Sequence, residues 1–154
     1  MARCYVALGT NLGDRLLNLA EARRRLAQLG AHRPGPVLQT AALLPPGDAT
    51  PQPDYLNSVD QLDTTLRPVA LFHQLKRIER LMGRRVTTRW APRIIDLDLI
   101  LWGDEVLRTP DLTVPHDSMH QRRFVLGPLA ALAPELRHPL LGQSIRELLV
   151  ALPP

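Results

Sequence analysis

The sequence predicts an α+β fold on the ferredoxin-like plan: a β-α-β-β-α-β antiparallel sheet with helices packed on it and extra helices at the C-terminal end. Three observations carry that expectation. Strand-length apolar runs alternate with stretches of helical periodicity in this order, glycines and prolines punctuate them, and 154 residues suit one ordinary domain with a real core. With no internal repeat, heptad array or linker, a single domain over residues 1–154 is expected.

The elements follow along the chain. "CYVALG" reads as a first strand ending at Gly9. Asp14 in "TNLGD" can cap a helix from Arg15 to Leu29 with Leu16, Leu19, Ala20, Leu26 and Leu29 on its core face. Arg23 to Arg25 then form its solvated side, and Gly30 closes it. Val37 to Leu44 is a second strand, "PPGDATPQP" a surface loop, and Tyr55 to Asp63 a third strand. Pro68 opens a second helix striped by Leu71, Leu75, Ile78 and Met82, with Phe72 beside them, and Gly83 stops it. Arg84 to Arg93 is a basic loop before a strand from Ile94 to Trp102. Gly103-Asp104 turns into a short paired segment around Val106, and Thr109 to His116 reads as irregular. Helices are expected near Asp117 to Leu132 and Ser144 to Leu149. Such a sheet leaves one face open, where a ligand can sit.

Composition narrows the class without choosing the function. An apolar fraction of 45% and a charged fraction of 22% are those of a globular protein. No apolar run is long enough to span a bilayer, and "MARCYVALGT" lacks a signal peptide's apolar region, so a cytoplasmic protein without a membrane partner is expected. Cys4, the single cysteine, sits in an apolar run and reads as a small core residue. The net charge is +4, carried by 18 arginines and one lysine, Lys76, and it permits an anionic partner.

The sharpest feature is "RWAPRIIDLDLI", residues 89 to 100, where Asp96 and Asp98 interrupt the most hydrophobic segment. On a strand they project to one face, roughly 7 Å apart along the chain, while Ile95, Leu97 and Leu99 face the core. Two carboxylates that close call for a cation between them. One reading is that Arg89 and Arg93 supply it on a solvated face. The other is Mg²⁺, which takes one or two protein carboxylates and completes its octahedron with water and substrate phosphates. Arg84, Arg85, Arg89 and Arg93 nearby offer bidentate donors to phosphate, and His and Cys suited to zinc are missing there. No Walker A pattern or kinase catalytic loop occurs.

That segment, with "ALGTNLGD", "QPDYLN", "RIERLMGR", "LTVPH" and "RRFVLGPLAALAPEL" in order, resembles the 6-hydroxymethyl-7,8-dihydropterin pyrophosphokinase family over nearly the whole chain. The resemblance implies transfer of the β,γ-pyrophosphoryl group of ATP to the hydroxymethyl oxygen of the pterin, giving AMP and the pterin diphosphate in folate biosynthesis. It implies two Mg²⁺ on Asp96 and Asp98. Arg84, Arg93, His116 and Arg122 would contact the triphosphate, with Arg84 and Arg93 catalytic. Arg85 and Arg89 would share that work, and Glu79 would sit at the edge of the ATP site. Asn57 would hydrogen-bond the pterin, Tyr55 and Phe124 would stack on it, and Trp90 would lie at the junction of the two sites. A monomer acting on these small molecules alone is expected.

Two departures from the family pattern stand out. "TAALLPPG" lacks the usual aromatic and threonine just before the proline-glycine loop, and Asp117 puts an extra negative charge after His116. Two rivals remain. An RNA-binding module shares the element order, but "IIDLDLILW" offers carboxylates where base-stacking aromatics belong, so no nucleic-acid partner is expected. A different Mg²⁺ transferase explains the aspartates but not "QPDYLN".

Overall fold

The computed structural model describes residues 1–48, 50–84 and 89–154. In chain order its elements are β1 (Ala2–Thr10), α1 (Arg15–Leu26), β2 (Ala31–Arg33), β3 (Leu38–Thr40), β4 (Tyr55–Thr64), α2 (Pro68–Leu81) and β5 (Asp96–Trp102). A two-stranded ribbon of β6 (Leu107–Arg108) and β7 (Thr113–Val114) follows, then a 3-10 turn, α3 (Arg123–Leu132) and α4 (Ile145–Val150). The main sheet runs β2-β4-β1-β5 with β3 also on β4, and every pairing is antiparallel.

Alternation along β1 divides the molecule. Cys4, Val6 and Leu8 face α1 and α2 and are at most 2% exposed. Burial pushes the Cys4 thiol up to about 12, so it stays protonated and inert. Tyr5 points the other way, into a second core with Val59, Ile100, Leu101 and the apolar sides of α3 and α4. A bulge helps build this second core. The β1–β5 register passes from Val6↔Leu99 to Tyr5↔Leu101, so Ile100 has no partner of its own and both Ile100 and Leu101 join that core.

The face expected to be open is therefore open only at one end. α3 and α4 cover the half around Tyr5 and Val59, and the uncovered half holds Gly9, Tyr55, Asn57 and the two aspartates.

Other expectations also change. The strand expected over Val37 to Leu44 is shorter, β3 over Leu38–Thr40, and a strand that was not expected, β2, precedes it; Pro34 and Pro36, which lack ladder donors, and Gly35, which lies against β4, separate the two. A Cβ on Gly35 would stand 2.1 Å from Val59 O, so only glycine permits that approach. The segment read as irregular contains β7. Helix α1 stops at Leu26 and buries Leu19, Ala22 and Leu26, leaving Leu16 70% exposed and Ala20 exposed. Its expected cap is present, with Asp14 Oδ1 accepting from Leu17 N at 3.1 Å.

Nor is Arg23 on a solvated side. Its guanidinium donates to both oxygens of Asp60 at 2.9 Å and to Ser58 Oγ at 2.8 Å, fastening α1 to β4. Asp60 is 1% exposed and also bonds His32 Nε2 at 2.7 Å and Gly35 N at 3.1 Å.

Candidate active site

Asp96 and Asp98 open β5 at its first and third positions and share the uncovered face, as the alternation of side chains requires. Ile95 and Leu97, between and before them, are fully buried on the opposite side. β5 ends the sheet among the described strands, so Leu97 turns its backbone outward. Helix α2 satisfies it: Leu97 N donates to Glu79 Oε2 at 2.7 Å, and Lys76 Nζ donates to Leu97 O at 2.9 Å. The residue between the two aspartates is thereby held at both polar groups.

Glu79 organises charge as well as backbone. It is 4% exposed, and Lys76 Nζ reaches its Oε2 at 3.1 Å while Arg84 Nη1 reaches its Oε1 at 2.8 Å. Arg84 Nη1 also lies 2.7 Å from Asp96 Oδ1, and Arg93 Nη1 donates to both Asp96 oxygens at 3.0 and 3.2 Å. Lys76 Nζ stands 3.6 Å from Asp98 Oδ1. One continuous alternation results: Asp96, Arg84, Glu79, Lys76, Asp98. The reading in which arginines neutralise the aspartates fits Asp96 through Arg93. It does not fit Arg89, whose guanidinium lies 4.8 Å over the Trp90 ring.

The aspartates form the floor of a cleft of about 570 Å³. Tyr55 and Asn57 stand on β4, and Arg122 and Phe124 at the start of α3 form the opposite wall. Arg89, Trp90 and Arg93 descend from the loop before β5. Gly9 keeps the floor low, since a Cβ there would come within 3.1 Å of Asn57 Oδ1. Asn57 Nδ2 donates to Thr40 Oγ1 at 2.6 Å, which fixes the amide plane. Burial, reinforced by Asp96, raises the pKa of the Tyr55 hydroxyl, so this wall is neutral.

Not every expected residue lines that cleft. Glu79 and Arg84 sit behind it and act on it through Asp96 and β5. His116 lies in an adjoining cavity of about 330 Å³ that shares Asp98 and includes Phe72, Thr113 and Ser118. Its Nδ1 accepts from Ser118 N at 3.2 Å, which leaves the proton on Nε2. Burial, only partly opposed by Asp98, holds the His116 pKa below its usual 6.5, so the ring is neutral at pH 7. Asp117 also lines that cavity; its side chain is 67% exposed and lies 3.8 Å from Arg108 Nη1. Arg85 lies outside the described residues.

Some site residues had not been singled out as such. Lys76 is the only lysine in an arginine-rich chain and stands three positions before Glu79, a spacing that puts both on one helix face. Gln52 and Asn11 join two loops: Gln52 Nε2 donates to Trp90 O at 2.6 Å, and Asn11 Nδ2 donates to Gln52 Oε1 at 3.3 Å. Asn11 Oδ1 accepts from Arg93 N at 2.8 Å. Thr40 supplies a hydroxyl close to Asn57 even though the loop before Gly47 lacks a threonine.

The donor set fits a hard divalent ion. Asp98 is 46% exposed at its side chain and has only the long contact to Lys76 among the described residues. No cluster of three or more His, Cys, Asp or Glu that could cage a metal occurs among the described residues. Two carboxylates beside open space suit Mg²⁺, which keeps water and substrate oxygens in its shell.

A cleft with carboxylates on its floor and arginines and aromatic rings on its walls has the make-up of a transferase site. The family described as 7,8-dihydro-6-hydroxymethylpterin-pyrophosphokinase (HPPK) matches residues 5–134. The chain belongs to that family, and its function is pyrophosphate transfer in folate biosynthesis. It is 43% identical to a Pseudomonas aeruginosa 2-amino-4-hydroxy-6-hydroxymethyldihydropteridine pyrophosphokinase, over 98% of this chain and 92% of that one. A Haemophilus influenzae protein of the same name is 37% identical over 96% and 91%. Among solved structures, wild-type Plasmodium falciparum HPPK-DHPS with SDX-DHP superposes with a TM-score of 0.72 at 16% identity. That match covers 97% of this chain and 43% of the longer one, and it speaks to the fold.

Proposed function

We propose that this cleft transfers the intact β,γ-pyrophosphoryl group of ATP to the hydroxymethyl oxygen of 6-hydroxymethyl-7,8-dihydropterin, releasing AMP, with Mg²⁺ held by Asp96 and Asp98. The observation that carries this reading is the meeting of both aspartates with Tyr55, Asn57, Trp90 and Phe124 in one cleft. The pterin is flat and hydrogen-bonding. Tyr55 and Phe124 offer it ring faces, and the amide of Asn57, steadied by Thr40, reads its polar edge. The triphosphate runs past Asp98 toward the cavity of His116, whose Nε2–H donates to a phosphate oxygen.

Bound Mg²⁺ ions, two in this reading, would neutralise phosphate charge and acidify the acceptor hydroxyl. The chain itself positions and neutralises. Arg93 and Arg122 meet charge on the equatorial and leaving oxygens, Arg84 supports them from behind the cleft through Asp96, and Arg89 stacks on Trp90 between the two substrates. Glu79 acts through Arg84 and β5. With this reading goes a cytoplasmic monomer of one pyrophosphokinase domain that uses small molecules only. Counting β2 and β3 as one interrupted strand, the sheet order supports the ferredoxin-like plan.

The test is a product assay with Mg·ATP and the pterin that resolves AMP from ADP. AMP formed only with the pterin present supports pyrophosphoryl transfer; ADP, or no turnover by folded protein, defeats it.

A further inference from the structure

The alternating chain Asp96–Arg84–Glu79–Lys76–Asp98 has an unusual property: one buried glutamate presents a cation to each of two carboxylates on the floor of a solvent-filled cleft. Lys76 is the member with no part yet in the chemistry. Its Nζ is tied to Glu79 at 3.1 Å and Leu97 O at 2.9 Å, it passes 5.6 Å from the Phe72 ring centre, and its remaining direction is toward Asp98 at 3.6 Å. Phe72 and Asp98 both line the cavity of His116, so the ammonium stands where the two cavities meet. Its side chain is 27% exposed, within reach of a ligand yet drier than a surface lysine.

We infer that Lys76 is an internal counter-ion for Asp98, which keeps free divalent metal out of the cleft and surrenders the carboxylate only when a triphosphate takes over the ammonium. The inference rests on the proposal that Asp98 binds metal.

The physical basis is competition for one carboxylate. A divalent ion arriving alone at Asp98 meets an ammonium already there, and the repulsion between the two cations weakens its binding. A triphosphate arriving with the metal brings negative oxygens to which Lys76 can turn, since Nζ carries three donors on a flexible stem. Nothing else need move, because Glu79 keeps Arg84 and the Leu97 N–H in place through its own bonds. Metal and nucleotide then bind with positive coupling, and by linkage each raises the affinity of the other by the same factor. Ligation of the metal by the phosphates couples the two as well, so the mark of Lys76 is the share of the coupling that its charge supplies; a lysine serving only to cap Leu97 O would supply none.

The experiment titrates Mn²⁺ into the full chain and follows free ion by electron paramagnetic resonance. It is run with no nucleotide and again with an ATP analogue whose α,β-bridging oxygen is a methylene. The proteins are wild type, Lys76→Gln, Lys76→Arg and Asp98→Asn. Lys76→Gln keeps a donor for Leu97 O and removes the charge, so it should bind nucleotide-free Mn²⁺ on the order of fivefold more tightly, as expected for one partly screened charge contact. The factor by which nucleotide enhances Mn²⁺ affinity should fall to match. Lys76→Arg should keep the wild-type values. Equal free-ion affinity in wild type and Lys76→Gln, or an unchanged nucleotide enhancement, overturns the inference while the metal site stands, provided Asp98→Asn weakens Mn²⁺ binding in the ternary mixture. If Asp98→Asn leaves that binding untouched, the metal site and the role of Lys76 both fail. Circular dichroism of each variant verifies folding, and Lys76→Met, which keeps the stem over Phe72, replaces Lys76→Gln if the latter is unstable.

Discussion

Asp98 is the more open of the two aspartates, and it has no arginine partner among the described residues. Its removal should therefore leave the wall of Tyr55, Asn57 and Phe124 proposed for the pterin untouched and strike the charge proposed to hold the metal. Asp98→Ala is expected to lower turnover by roughly 100-fold or more, the scale of losing one preorganised electrostatic contact, with pterin affinity within about threefold of wild type. Single-turnover rates and pterin titration, measured side by side, decide it; near-normal turnover would remove Asp98 from the chemistry. His138 makes a different kind of residue-scale case, away from the cleft. It is 4% exposed, and its Nδ1 accepts from Leu140 N and Leu141 N at 3.2 and 3.1 Å. Burial, with His120 adding repulsion, depresses its pKa below 6.5. The unfolded chain thus takes the proton first, so this stability is complete above pH 6.5 and is lost as pH falls through the depressed value. His116 contributes with the same sign. His138→Asn keeps an acceptor that does not titrate, so its loss of stability between about pH 7.5 and 5.5 should be smaller than that of wild type in urea unfolding.

At the scale of elements, one arginine ties helix α1 to strand β4 beside the core packing of Leu19, Ala22 and Leu26. Asp60 is 1% exposed, so stripping its Arg23 partner leaves a buried carboxylate supported only by His32, Ser58 and Gly35 N. Arg23→Met is expected to cost about 3 kcal/mol, the low end for breaking a buried pair from one side, and Asp60→Asn in the same chain should recover part of it. Chemical denaturation of the two single variants and the double variant gives the coupling directly, and additive losses would contradict a shared network. The local sequence could not reveal this pair, because "RRR" on a helix looks the same whether or not a strand 37 residues later offers a carboxylate. The aspartates of β5 were legible for the opposite reason. Their message is carried by period-two alternation within seven residues, where no distant partner is needed to read it. Strands β2 and β3 fall between these cases. β3 lies inside the span read as a strand, whereas β2 was not read at all, and only its pairing with β4 shows that Ala31–Arg33 belongs to the sheet. Lys76 was visible as the sole lysine, yet its task depends on Leu97 being at a sheet edge, which is a fact of topology.

The molecule as a whole brings two loops over one cleft. One leads into β4 and carries Gln52; the other leads into β5 and carries Trp90 and Arg93. They are distant in sequence, and four side-chain bonds join them across the end of β1: Gln52 to Trp90 O, Asn11 to Gln52, Asn11 to Pro53 O, and Asn11 to Arg93 N. Asn11 is fully buried, so the junction is rigid on the β1 side, and Gln52 makes the one direct side-chain bond between the two loops among the described residues. If the loops close over ATP and pterin together, amide exchange at residues 50–54 and 89–93 should slow in parallel when both substrates are bound. Gln52→Ala removes the direct link to Trp90 and leaves only the path through buried Asn11, whose Nδ2 keeps its second acceptor, Pro53 O at 3.2 Å. Stability should then change by only about 1 kcal/mol, the worth of one ordinary hydrogen bond. Protection of the two loops should separate, and KM for the pterin should rise by roughly tenfold, because Trp90 is no longer held at the cleft mouth by its own carbonyl. Exchange mass spectrometry with and without the two substrates reads the first effect and steady-state kinetics the second. Parallel protection persisting in Gln52→Ala would mean that the loops respond to the ligands separately, and that the bond between them is incidental to closure.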